Sequence, residues 1–126
     1  MSKLLRIAAW SCVVLLAILS WLPGDAMIRT GIDGRIEHVT AYLGTMLVVS
    51  AAYAVRSGVL RLGLLLIGYA AILELGQNFA PGRHPSPFDF AASSLGVIAG
   101  AIIFRLVWRL FGDTLIGREM KRAAQL

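Results

Sequence analysis

The sequence predicts an all-α membrane protein: a compact bundle of four transmembrane helices. Of its 126 residues, 58% are apolar and only 15% are charged, whereas a soluble domain has about 25% charged residues. Four separate apolar stretches each approach the roughly 20 residues that a helix needs to cross a bilayer. They do not alternate as β-barrel strands do, and helices are the other way to satisfy the backbone in lipid. The length excludes a multidomain enzyme, and the apolar content excludes disorder.

The four predicted helices cover about residues 4–22, 36–55, 62–79 and 90–111, in a single domain spanning 1–126 with a cytoplasmic tail at 112–126. Lys3 and Arg6 precede the first apolar run, as in a signal peptide. No A-x-A cleavage site follows this run, so we expect the first helix to be retained. Its Cys12 is interpreted as a small apolar filler.

The charges indicate an orientation. With the N-terminus inside, the inner side holds nine of the 12 basic residues: Lys3, Arg6, Arg56, Arg61, Arg105, Arg109, Arg118, Lys121 and Arg122. The outer side holds the other three, with five acids: Arg29, Arg35, Arg83, Asp25, Asp33, Glu37, Glu74 and Asp89. The other two acids, Asp113 and Glu119, lie on the inner side, so the net charge of +5 divides into +7 inside and −2 outside. This bias predicts a multi-pass protein of the cytoplasmic (inner) membrane with both termini cytoplasmic. Because the basic residues flank apolar runs, nucleic acid is not an expected partner.

Polar residues collect at the outer ends of the second, third and fourth helices. In the second helix, His38, Tyr42 and Thr45 follow the i, i+4, i+7 spacing of one face. In the third, Glu74, Gln77 and Asn78 share a face by the same rule. An ionisable group costs about 2.5–3.5 kcal/mol at the centre of a membrane helix, so Glu74 should face partners, for which His38, Tyr42 and Arg83 are the candidates. The predicted functional polar cluster consists of His38, Tyr42, Glu74, Gln77, Arg83, Ser86, Asp89 and Ser93.

The segment between the third and fourth helices, residues 80–88, contains three prolines and one glycine and should form a stiff turn. It would hold Arg83 and His84 over the outer helix ends. Arg83 suits a carboxylate or phosphate ligand, or alternatively neutralises Glu74 or Asp89. Asp89 is equally well placed as a helix N-cap.

Helix 4 carries a small-residue pair, Gly96 and Gly100, in a G-x-x-x-G spacing. Small residues allow close approach of membrane helices. Packing within the bundle is the first interpretation, and a homo-oligomer through this pair is the second.

Taken together, these motifs resemble the VanZ-like membrane proteins. The resemblance rests on Glu74-x-x-Gln77, Arg83-x-x-Ser86-x-x-Asp89, small residues at 93 and 96, and His38-x-x-x-Tyr42-x-x-x-x-Leu47, and covers about residues 32–100. The chain departs from the family in two places. The family has an Asp-Lys pair three residues before the histidine, whereas here Asp33 and Arg35 stand at displaced positions. The family often has an asparagine where this chain has Ser93. The resemblance implies a role at the outer face of the membrane, in a family whose namesake is associated with low-level teicoplanin resistance. It implies no particular reaction.

The leading hypothesis is therefore a protein whose outer polar cluster binds or modulates an envelope component, such as a lipid headgroup or a cell-wall precursor. A small four-helix exporter is an alternative, although that class depends on a carboxylate in helix 1, which has none here. A hydrolase or transferase using His38 and Glu74 as acid and base lacks a recognisable motif, so the sequence leans against an enzyme without excluding one. The fourth hypothesis is an accessory subunit of an envelope complex. No cofactor and no metal are predicted.

Overall fold

The computed structural model describes residues 3–26 and 31–111, and in this part of the chain all regular structure is helical. The helices are α1 (Lys3–Trp21), α2 (Gly34–Ser57), α3 (Val59–Gly76), a 3₁₀ helix (Gln77–Phe79) and α4 (Pro87–Phe111). The predicted tail at 112–126 lies outside the described residues. The all-helical class is confirmed.

Three of these segments are long and apolar enough to cross a membrane: Lys3–Trp21, Val59–Phe79 and Pro87–Phe111. The remaining long helix, α2, has 24 residues. It is less apolar than the others because its first half carries several polar side chains.

Two helices, α3 and α4, begin three residues earlier than predicted. α3 begins at Val59 instead of residue 62, because Gly58 adopts a φ of +75° and reverses the chain in a single residue. The Gly58 amide donates to the Ala54 carbonyl at 2.8 Å and closes the end of α2. α4 begins at Pro87 instead of residue 90, since proline at the first helical position costs no hydrogen bond.

α2 and α4 form the most extensive helix pair, and the glycine pair of α4 makes it possible. A Cβ atom at Gly96 would collide with the Val39 carbonyl oxygen, and one at Gly100 would lie 2.9 Å from the Leu43 carbonyl oxygen. Both glycines therefore bring α4 against the backbone of α2. Their predicted use in packing within the bundle is confirmed, while the homo-oligomer stays a prediction.

Two hydrogen bonds of α1 show the directions of α2 and α3 relative to it. The Trp10 indole, near the start of α1, donates to the Tyr53 hydroxyl near the end of α2 at 3.1 Å. The Trp21 indole, at the end of α1, donates to the Leu73 carbonyl near the end of α3 at 3.2 Å. Successive helices thus run in alternating directions.

The loops after α1 and after α3 lie at the same end of the bundle. The Gly24 amide donates to the Pro81 carbonyl at 3.0 Å, and a Cβ at Gly24 would lie 2.6 Å from the Gly82 carbonyl oxygen. We call this end, formed by the ends of α1 and α3 and the starts of α2 and α4, the polar end. The opposite end, which carries Arg6, Arg61, Arg105 and Arg109, is the arginine end.

Candidate functional site: a polar cluster at one end of the bundle

The predicted cluster residues lie together at the polar end, in two hydrogen-bonded groups. One group joins α3 to α1 and to the start of α4, and the other joins α2 to α4. Six of the eight predicted residues make hydrogen bonds within these groups through a side chain or a backbone amide: His38, Glu74, Gln77, Ser86, Asp89 and Ser93. Tyr42 stacks on His38. Arg83 and Asp89 lie at the edge, half-buried.

Glu74 is the centre of the first group and is 7% exposed. Its Oε1 accepts from the Ser86 backbone amide at 2.6 Å. Its Oε2 accepts from the Gln77 Nε2 at 3.4 Å, and this Nε2 also donates to the Ser20 hydroxyl at 3.3 Å. The donors to Glu74 are thus an amide side chain and a loop backbone, neither of which is among the predicted partners. Its predicted pairing with Arg83 stays a prediction.

Ser86 joins Glu74 to the first turn of α4. The Asp89 amide donates to the Ser86 carbonyl at 3.0 Å and to its Oγ at 3.4 Å. Ser86, directly before Pro87, is therefore the N-cap, and the prediction that Asp89 caps the helix is wrong. Asp89 lies in the first turn instead, where a negative charge is favourable beside the helix N-terminus.

The pattern Ser86-x-x-Asp89 has the form of a capping box with a change of partner. In a capping box, the acidic residue three positions after the cap accepts from the backbone amide of the cap residue. Here that amide donates to Glu74 of another helix. A local capping contact is thereby replaced by a tertiary contact that ties the α3–α4 loop to α3.

His38, Ser93 and Tyr42 form the second group. The His38 Nδ1 and the Ser93 Oγ lie 3.1 Å apart, and the His38 and Tyr42 rings stack with centroids 6.5 Å apart. Tyr42 also interacts with Ser93 and electrostatically with Glu74. The predicted shared face of His38, Tyr42 and Thr45 is confirmed, since Tyr42 and Thr45 are both buried.

The His38–Ser93 distance falls within the range of a base and nucleophile pair. Ser93, however, is only 2% exposed and lies between α2 and α4. A substrate carbonyl has no approach to a hydroxyl buried in this way. The geometry therefore favours an interhelical hydrogen bond over a catalytic pair.

Asn78 departs from the predicted face. Gln77 is 2% exposed, whereas Asn78 is exposed and its side-chain amide donates to the Leu75 carbonyl. The 3₁₀ helix that begins at Gln77 has about 3.0 residues per turn, so it rotates Asn78 away from the position that an α-helix would give it.

Two contributions from α1 are missing from the sequence-based prediction. Ser20 accepts from Gln77, and the Trp21 indole lies over Gly76, where a Cβ would come within 2.5 Å of its Nε1. The signal was Ser20, a serine in the last turn of α1 after an apolar run over residues 12–19. Among the described residues, no group of three or more His, Cys, Asp and Glu side chains is placed to hold a metal ion.

Fold and cluster together define a small all-helical protein with membrane-spanning character and a polar cluster at one end. Comparison with known proteins adds no further assignment, because no protein-family model, no curated protein and no solved structure matches the chain.

Proposed function

We propose that the chain is a VanZ-like protein of the cytoplasmic membrane, in which all four helices span the bilayer and the polar end faces outward. The alternating helix directions and the excess of basic residues at the arginine end support this orientation. In a Cys12→Ser background, His84→Cys should react with a membrane-impermeant maleimide in intact cells. Arg61→Cys, an exposed position at the arginine end, should react only after permeabilisation. The reverse labelling pattern would refute the orientation.

The proposed function is binding of an anionic envelope component, a phosphate-bearing lipid headgroup or cell-wall precursor, at the polar end. The observation that carries it is the hydrogen bond from the Ser86 amide to Glu74. Because this bond is made by a buried carboxylate, it fixes the α3–α4 loop over the helix ends. A loop held in this way has little conformational entropy left to lose on binding.

Within this proposal, Arg83 and His84 are the ligand-contacting residues. Arg83 is half-buried and already engages other groups of the chain, and His84 is exposed. A guanidinium has five N–H donors, which is enough to hold an internal partner and a phosphate oxygen together. Glu74, Gln77, His38 and Tyr42 shape the site from beneath.

Binding is testable with the protein in nanodiscs and a polyprenyl phosphate as the probe, compared with the uncharged polyprenol. We expect Arg83→Gln to weaken binding of the phosphate by about tenfold or more, since hydrogen bonds to charged groups contribute about 1.5–3 kcal/mol. Arg35→Gln is the matched control. It removes the same charge from the same end, at an exposed side chain that lies 5.1 Å from the Phe88 ring.

Equal binding of the phosphate and the polyprenol would refute the proposal. An equal loss of phosphate binding in the Arg83 and Arg35 variants would also refute it, because binding would then depend only on the surface charge of this end. Either result would favour the alternatives of a small four-helix transporter or a structural accessory subunit of an envelope complex.

A further inference from the structure

A groove of about 690 Å³ lies at the arginine end, far from the polar cluster. Its volume is in the range of small-molecule sites, about 300–1,000 Å³. The end of α2, the start of α3 and the last turns of α4 contribute the lining residues, which include Ala54, Val59, Phe104, Arg105, Trp108 and Arg109.

The groove combines an apolar wall with two cations. Arg105 and Arg109 are four residues apart, so they lie on one face of α4 and are separated by one turn. Both are exposed, and the lining within the described residues includes no acidic side chain. The Phe104 and Trp108 rings beside them stack with centroids 5.8 Å apart. The other described lining side chains are aliphatic.

This arrangement has the chemistry of an anionic phospholipid. Arginine suits phosphate because its planar fork donates two parallel hydrogen bonds. Tryptophan near a helix end settles at the headgroup level. Basic pockets between membrane helices are established sites for anionic lipid headgroups. Arginines that merely extend towards the bilayer surface need no groove between three helices, whereas a bound acyl chain does.

We propose that this groove binds an anionic phospholipid, with its phosphodiester between Arg105 and Arg109 and an acyl chain along the aliphatic wall. The occupant is distinguished from bulk lipid by its net charge, since the phosphate of a zwitterionic lipid already has an ammonium partner. This site is independent of the proposed function at the polar end.

The tryptophans provide a direct readout. In a Trp10→Phe, Trp21→Phe variant, Trp108 is the single tryptophan, and it lines the groove. Reconstituted with brominated phosphatidylglycerol or brominated phosphatidylcholine, it should be quenched preferentially by the anionic lipid. Removing one arginine, by Arg105→Gln or Arg109→Gln, should reduce this preference by about fivefold.

The matched control is Arg6→Gln, at the same end of the bundle. Arg6 lines a separate groove with Trp10 and Tyr53, so its loss removes one charge without touching the proposed site. The Arg6→Gln variant should keep the preference for the anionic lipid unchanged. Equal quenching by the two lipids, or an equal loss in the Arg6 variant, would overturn the proposal.

Native mass spectrometry of the chain with its natural tryptophans gives a second measurement that does not depend on the folding of the tryptophan variant. One or a few phosphatidylglycerol molecules should remain bound to each chain. The Arg109→Gln variant should lose this bound lipid, while the Arg6→Gln variant should retain it. Retention by both variants would overturn the proposal.

Discussion

The two ends of the bundle use polar side chains in opposite ways. At the polar end, Glu74, Gln77 and Ser93 are at most 7% exposed and bond to other helices or to the loop. At the arginine end, Arg105 and Arg109 are exposed and border an open groove. The side chains of Glu74, Gln77 and Ser93 therefore point into the protein, whereas those of Arg105 and Arg109 point away from it.

The difference indicates where the structure is specified and where it can adapt. A buried polar group is costly unless its partners are in place, so a satisfied buried network fixes one arrangement of the helices. An exposed arginine imposes no such condition, since it finds water or phosphate in many orientations. The polar end should therefore carry stability, and the arginine end should respond to the surrounding lipid.

The largest expected effect is that of Glu74→Ala. This substitution leaves the Ser86 amide without its acceptor and removes one of the two acceptors of the Gln77 side chain, which keeps Ser20. We expect a loss of about 2–3 kcal/mol in the free energy of unfolding, because an unsatisfied buried donor costs about 1–3 kcal/mol and the lost bond to Gln77 adds to this. Unfolding in mixed micelles of mild detergent and SDS, followed by circular dichroism, measures the change.

Glu74→Gln is the control for this prediction. Glutamine keeps an oxygen that accepts from the Ser86 amide, so this variant should retain most of the stability lost in Glu74→Ala. If alanine proves as stable as the native glutamate, the buried bonds do not hold the loop, and the contrast between the two ends disappears.

Sequence patterns were sufficient for the helices and for one face of the cluster. Hydrophobic run length gives the four helices, and the spacing of His38, Tyr42 and Thr45 gives the face of α2, because both depend only on regular helical geometry. The spacing of Gly96 and Gly100 likewise indicates the close approach of α4 to α2. Periodicity therefore predicts elements and faces.

The hydrogen-bond partners of the buried side chains were not predictable in the same way. The predicted partners of Glu74 were His38, Tyr42 and Arg83, and the hydrogen bond from the Ser86 backbone amide was not among the expected contacts. Backbone amides are invisible in a sequence pattern, and the contact depends on the path of a proline-rich loop. Asn78 and Asp89 were misplaced for a related reason, since a 3₁₀ turn and a proline start each changed the register by a residue or more at a helix end.

The smallest expected effect is that of the double substitution Arg105→Gln and Arg109→Gln on stability in a zwitterionic or non-ionic detergent. Exposed substitutions usually change the free energy of unfolding by less than about 0.5 kcal/mol, and glutamine keeps part of the side chain that covers the apolar surface. Thermal unfolding in that detergent without SDS, followed by circular dichroism, measures the change, with Glu74→Ala as the reference for a buried loss. Addition of phosphatidylglycerol should then stabilise the native chain more than the double variant, because a ligand that binds only the folded state stabilises it by mass action. A loss above about 1 kcal/mol in the absence of anionic lipid would instead assign both arginines to internal support of α4 and make the two ends alike.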